Sequence, residues 1–339
     1  MSFKVILKRA TIAALALVLS TLALVSAQAP PPYHDVRPGY GVTRIGWLSD
    51  YCPGLRGTPG DTMVYYLESG VPGMDVLVLG GTHANEISGI LAATLLVERS
   101  EVKAGRLIVI PHANNSASMA PDSRGGLKLE HVTIGSLSAP RVFKYGDRYT
   151  SEADQPDYKS DPLGIEARNL NRVYPGKSDG TMTEKIAFGI MEILRAEGID
   201  TAIDLHEANP KSSLGWTIIS PNETLDIAVL SAFELEEKGI RMSPDRSGAG
   251  FAGYSHWEWS RMGTAAFLLE TVNPGMEAGL KLDPIVSAEF PIERRVGTHL
   301  ETILTLLKYS VELGGAPFAI EGVPSYKALM ENGISSYLR

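Results

Sequence analysis

Four short stretches hold the residue types that can do chemistry together. In "GGTHANEISG" (80–89), His83 and Glu86 stand three residues apart just after an apolar run. At that spacing an imidazole and a carboxylate share a helix face or first helical turn and can converge on one cation. The same stretch also reads as a plain strand-to-helix turn, with Glu86 favoured by the positive end of the helix dipole. "AIDLHE" (202–207) places His206 directly after another apolar strand, with Asp204 two residues earlier on the same strand face, where it can orient the ring from behind. Two histidines and one carboxylate leave a fourth position for water, the layout of a catalytic zinc rather than a structural one.

The other two stretches supply the remaining parts of a hydrolytic site. "ARNLNRVYPG" (167–176) carries Arg172, whose fork can grip a carboxylate through two bonds, and Asn171, an amide donor beside it. Taken alone, it is equally a polar turn closed by Pro175 and Gly176. "AAFLLET" (265–271) ends an apolar strand in Glu270, a costly residue to bury there without a task. A carboxylate in a partly dry site beside a metal can act as general base toward water. Cys52 is the single cysteine, so a metal must be held by His, Asp and Glu.

These four pieces, in this order, resemble the zinc carboxypeptidase superfamily and, within it, the succinylglutamate desuccinylase and aspartoacylase branch. The resemblance covers about residues 62–310. It implies one zinc ion on His83, Glu86 and His206, a substrate carboxylate held by Asn171 and Arg172, and Glu270 as the base that activates water. It further implies an arginine that stabilises the oxyanion. Arg148 in "YGDRYT" and Arg168 in "EARN" both qualify by position; Arg148 is preferred, with Arg168 assigned to substrate binding. Tyr254 in "GFAGYSHWEW" corresponds to a loop tyrosine over the substrate, although Tyr254, Trp257 and Trp259 also suit simple loop packing. The expected reaction is metal-assisted hydrolysis of an amide next to a free carboxylate, in an N-acyl amino acid or at a peptide C-terminus. Relatives in this branch usually append a β-rich C-terminal domain, which residues 314–339 are too few to form, and this leaves room for a peptide substrate.

The elements around these residues follow from periodicity. Short runs such as "VYYLE", "MDVLVLGG", "GRLIVIPH", "DTAIDLHE", "GWTIIS" and "AAFLLET" alternate with helical patterns from Val64 onward. Continuous Val, Ile and Leu runs suit strands covered on both faces, so the expected fold is an α/β/α sandwich around a mixed, largely parallel sheet. Helices are expected at about 86–99, from Thr181 with a Thr181–Glu184 capping box to a stop at Gly198, from Asn222 to Gly239, and from Ile292 to Leu313 with Pro291 in its first turn. Residues 115–175 lack periodicity apart from a hairpin expected in "LKLEHVTIGS". One catalytic domain is expected over 62–313, preceded by a Pro/Gly-rich leader (30–61) and followed by a tail (314–339).

The first 29 residues have the order of a secretory signal: Lys4, Lys8 and Arg9, an apolar run from Ile12 to Val25, then small residues with cleavage after Ala27 or Ala29. About fourteen apolar residues fall short of the roughly twenty that span a bilayer. Cleavage would move the formal charge from −8 to −11, an acidic balance that argues against nucleic acid as a partner. A periplasmic or extracellular location follows, with no lasting membrane anchor. Two rival readings exist: a serine hydrolase built on Ser255 or Ser116, and an exported binding protein that captures an acidic ligand without turnover.

Overall fold

The computed structural model describes residues 34–121, 129–135, 140–277 and 282–339. The expected signal segment and residues 30–33 of the leader lie outside the described residues.

Eight strands build the main sheet: β1 (Arg44–Trp47), β2 (Met63–Glu68), β3 (Asp75–Leu79), β5 (Arg106–Ile110), β8 (Thr201–Ala208), β9 (Thr217–Ser220), β10 (Ser243–Arg246) and β11 (Ala265–Val272). Their spatial order is β1-β2-β5-β3-β8-β11-β9-β10. The central four, β5, β3, β8 and β11, run parallel. β2 pairs antiparallel with β5 and β9 antiparallel with β11, so the sheet is mixed toward its edges.

Helices α1 (Ile87–Arg99), α2 (Met182–Glu197), α3 (Leu225–Glu237), α4 (Ser255–Ser260), α5 (Ile292–Glu312) and α6 (Tyr326–Asn332) surround it. Side chains alternate between faces along each strand. Val76 and Val78 of β3 therefore pack with Leu91 and Leu95 of α1 and Leu300 of α5. Leu77 and Leu79 pack on the opposite side with Ile186 and Ile190 of α2. Both faces are dry, which is why these strands read as unbroken apolar runs. Truncating Leu91 or Leu95 to alanine should cost about 2–5 kcal/mol, because both are fully buried. α1 lies unusually close to β8: a Cβ on Gly89 would come within 2.7 Å of the Leu205 carbonyl oxygen.

Local signals fix the helix ends. Thr181 Oγ1 accepts from Glu184 N, Glu184 Oε2 accepts from Thr181 N, and Gly198 closes α2 in the left-handed region at φ 65°. The helix expected from Asn222 starts as a 3-10 turn, Asn222–Thr224, before α3.

Two boundaries differ from expectation. The sheet begins at Arg44 rather than at residue 62, because "RIGW" pairs antiparallel with β2; four residues with a central glycine and an exposed Ile45 carry no alternation to read. The expected hairpin within 127–136 is replaced by β6 (His131–Ile134) pairing with β7 (Arg141–Lys144), whereas residues 127, 128 and 136 lie outside the described residues. The partner strand is the alternating "RVFK", which begins seven residues after the end of β6 in the chain. The tail is tied to the same body: β12 (Ala319–Glu321) pairs with β4 (Glu101–Ala104).

Candidate active site

The site forms beyond the carboxyl ends of β3, β8 and β11, where ligands gather in parallel α/β sheets. β3 ends at Leu79 and is followed by Gly80-Gly81. A Cβ on Gly80 would lie 2.6 Å from the Gly89 carbonyl oxygen, and Gly81 sits at φ +70° with the Pro111 carbonyl 3.0 Å from its Cβ position. Only glycines let the chain turn here against α1 and the segment after β5. The following loop is pinned by Ala84, whose N–H donates to Asp147 O at 2.9 Å and whose carbonyl accepts from Gly146 N at 3.3 Å. α1 then starts at Ile87, with Glu86 at its N-cap.

This turn brings His83, Glu86 and His206 together, each at most 2% exposed, with their ligand atoms within 4.8 Å of one another. His83 Nδ1 lies 2.7 Å from Glu86 Oε1, His206 Nδ1 lies 2.8 Å from Glu86 Oε2, and the two Nδ1 atoms are 3.3 Å apart. Each ring has an oxygen close to its other nitrogen. His83 Nε2 lies 2.9 Å from Asn169 Oδ1, and His206 Nε2 lies 2.9 Å from Asp204 Oδ2. Asp204 is itself fixed by hydroxyls, accepting from Thr82 Oγ1 at 2.8 Å and Ser255 Oγ at 2.5 Å.

This donor set fits a metal ion. If Nε2 of each neutral ring donates to its outer oxygen, both Nδ1 lone pairs and the Glu86 carboxylate face one point, and only a positive charge can sit among them. Imidazole nitrogens with one carboxylate are ligands suited to zinc, and outer oxygens that fix the tautomer are the usual support. The same acidic surroundings that would draw a cation also favour a proton on His206. Burial alone would raise Glu86 and Asp204 and lower His206. The mutual attraction instead holds both carboxyl groups below their ordinary values and His206 well above its own. His83 goes the other way, to about 4, through burial and the nearby Arg148 charge.

Glu270 stands beside this trio, in register with His206 across the β8–β11 pair. It keeps a partial solvent edge, but Oε2 is buried without a hydrogen-bond partner. Burial, opposed by His206 and reinforced by Glu86, pushes its pKa up to about 8. Two arginines face the same region. Arg148 Nη1 is 3.8 Å from Glu86 Oε1. The guanidinium of Arg172 stacks 3.9 Å over the Tyr254 ring, and its pKa is lowered by burial and by Arg148. Asn171 Oδ1 accepts from Ser255 N at 2.8 Å, fastening the Asn-Arg segment to the start of α4.

Arg168 is not brought to the trio. Its Nε donates to Thr150 O at 2.7 Å and its guanidinium lies 4.5 Å from the Tyr158 ring, so it braces the loop that carries Asn171. The two serines of the rival reading are also committed: Ser255 to Asp204, and Ser116 Oγ to Asp154 Oδ2 at 2.5 Å. Sequence reasoning passed over Asn169 and Thr82. The Asn-x-Asn spacing in "NLNR" was the available signal for Asn169, which accepts from Asn171 N at 3.1 Å while holding His83.

A mixed sheet wrapped on both faces, with a His-Glu-His trio at its strand ends, has the architecture of the zinc carboxypeptidase-like hydrolases. The chain belongs to the succinylglutamate desuccinylase/aspartoacylase family: residues 72–272, more than half of its length, match the catalytic domain of that family. The family is named for amide hydrolases, and the curated relative is a deacetylase. The N-alpha-acetyl-L-2,4-diaminobutyric acid deacetylase of Halomonas elongata is 29% identical over 136 residues, 40% of this chain and 28% of that protein. Among solved structures, the product-bound ectoine utilization protein EutE of Ruegeria pomeroyi is similar with TM-score 0.48 and 19% identity, over 74% of this chain and 61% of that one. The cell shape determinant protein Csd4 of Helicobacter pylori is similar with TM-score 0.48 and 15% identity, over 79% and 59%. This chain thus spans under two thirds of the length of each.

Proposed function

We propose that the protein is a zinc-dependent hydrolase that cleaves an amide bond in a substrate bearing a free carboxylate, an N-acyl amino acid or a peptide C-terminus. The observation that carries this reading is the convergence of His83, Glu86 and His206 next to Glu270, with Arg148 and Arg172 facing the same region. His83, Glu86 and His206 would hold the ion. When bound, it supplies Lewis acidity toward a water and an amide carbonyl, bringing the water's pKa to about 7.

The chain's own residues perform the rest. Glu270, beside the trio, is the base: in its ionised form, which a cation held beside it favours, it takes a proton from the attacking water and returns it to the leaving amine. Arg148, against Glu86, is better placed than Arg168 to meet the negative charge that develops on the carbonyl oxygen. Arg172, its guanidinium carbon 3.9 Å from the Tyr254 ring centroid, suits a carboxylate that brings two acceptors to its fork. Asn171 stands beside it as a second donor. The sequence of the first 29 residues supports export of the enzyme to the periplasm or medium.

The test combines metal analysis with a hydrolysis screen of N-acyl amino acids against peptides with free C-termini. Purified protein should carry about one zinc per chain, lose turnover to a chelator and regain it with zinc. Glu270→Gln should lose at least about 10²-fold in kcat while keeping its metal. Full activity in that variant would remove Glu270 from the role of base, and a metal-free native protein would sink the reading.

A further inference from the structure

Next to His206, on the opposite face of β8, lies a second polar cluster. Strand alternation turns Glu207 away from the trio and into the layer beneath α1 and α5. Its carboxylate and Arg295 of α5 are both fully buried, with Arg295 Nη1 donating to Glu207 Oε1 at 2.6 Å. A buried ion pair is a costly device, because desolvating both charges consumes most of what their attraction returns. A well-packed apolar pair would hold α5 on the sheet as firmly.

Glu207 Oε1 also accepts from Thr271 Oγ1 at 3.4 Å, while Oε2 meets the metal loop. Oε2 accepts from Ser88 N at 3.0 Å and from Asn273 Nδ2 at 3.1 Å. Asn273 Nδ2 also donates to Asn85 O at 2.9 Å. Residues 85 and 88, which flank Glu86, are therefore both tied to one carboxylate and its amide neighbour. The backbone N–H of Glu207 completes the link by donating to Glu86 Oε2 at 3.1 Å. On its far side Arg295 Nη2 donates to the Pro284 carbonyl, and Asn273 Oδ1 accepts from Gly275 N at 2.9 Å. The segment that leaves β11 after Glu270 is held by the same groups.

We infer that Glu207, with Arg295 and Asn273, is a positioning residue for the metal site: it clamps the loop carrying Glu86 from behind the sheet and joins it to the segment after β11. This rests on the metal-binding reading above. The carboxylate is required because each oxygen meets donors. A glutamine here must aim its NH2 either at Arg295 or at Ser88 N and Asn273 Nδ2, and neither side can receive it. Paired with Arg295→Met, the same glutamine turns its NH2 toward Thr271 Oγ1, whose hydroxyl turns to accept, and its oxygen toward Ser88 and Asn273, restoring the clamp without charge.

The experiment measures zinc affinity by chelator competition, and thermal stability with and without zinc, for the full chain and for Glu207→Gln, Glu207→Gln/Arg295→Met and Asn273→Ala. Glu207→Gln should bind zinc at least about tenfold more weakly, as outer supports of metal ligands typically do. The double variant should recover most of that affinity. Asn273→Ala leaves the ion pair whole and should also bind more weakly, so it reads out the clamp if Glu207→Gln does not fold. A merely structural pair would lower the melting temperature equally with and without zinc and leave affinity at the wild-type value; that result overturns the inference. A wild-type protein that binds no zinc would instead refute the metal reading itself.

Discussion

Asp204→Asn is the perturbation that tests the metal centre most cleanly, because its shape can be kept while its charge is removed. Asp204 Oδ2 lies 2.9 Å from His206 Nε2 and accepts from Ser255 Oγ, and Oδ1 accepts from Thr82 Oγ1. An asparagine can leave its oxygen with the first two and aim its NH2 at Thr82, whose hydroxyl turns to accept. The packing and bond count survive, but the negative charge that makes His206 a stronger ligand is lost. Loss of such an outer partner costs about 10–100-fold in metal affinity, which is about 1.4–2.7 kcal/mol. Asp204→Leu differs in kind: it strands three buried donors at about 1–3 kcal/mol each and should unfold or strongly destabilise the protein even without metal. Chelator competition gives the affinity, and circular dichroism melting in chelator gives the metal-free stability. Asp204→Asn should melt near the wild-type temperature when metal-free and bind zinc 10–100-fold more weakly. Wild-type affinity in Asp204→Asn would refute the reasoning, as would a metal-free melting temperature as low as that of Asp204→Leu.

Other consequences are open to measurement. Arg172→Lys keeps the charge but loses the fork and the guanidinium contact over Tyr254, so KM should rise about tenfold with kcat little changed, in steady-state kinetics on whichever substrate the screen returns. Equal losses in kcat would show that Arg172 acts in the transition state instead. Acid should destabilise the fold through the stacked imidazoles of His34 and His112, whose centroids lie 3.2 Å apart. Burial lowers His34 to about 4 and His112 well below its ordinary value. The unfolded chain takes up these protons below about pH 6.5 while the native one does not, so stability falls as pH drops from there toward 4. Both His112 ring nitrogens are buried without partners, so His112→Phe should fold and lose part of that acid slope. Parallel melting-temperature profiles for the two proteins would contradict this. Thr181→Ala should cost about 1 kcal/mol in denaturant unfolding without touching activity, since it removes one half of the α2 capping box.

Much of the site is written locally. An apolar run ending in glycines, followed by His-x-x-Glu, encodes both the end of β3 and the start of α1, because the same short segment must turn, cap and present its ligands. His206 and Glu270 are legible for a similar reason: an apolar strand that ends in a titratable residue announces that something waits at its carboxyl end. What the sequence could not decide depends on distance through space. Arg148 and Arg168 are equivalent by spacing, and only the pairing of Ala84 with residues 146 and 147 brings Arg148 to Glu86, while the Thr150 carbonyl and Tyr158 draw Arg168 away. Asn169 becomes a support for His83 across 86 residues of chain. Glu207 read as one more polar residue after a histidine, yet strand alternation sends it through the sheet to meet Arg295 and Asn273. The sequence by itself determined which titratable residues stand near the strand ends and therefore which candidate metal ligands are available. Tertiary structure decided which residues hold those ligands in place, because a supporting bond is made by whichever donor the packing of distant segments delivers.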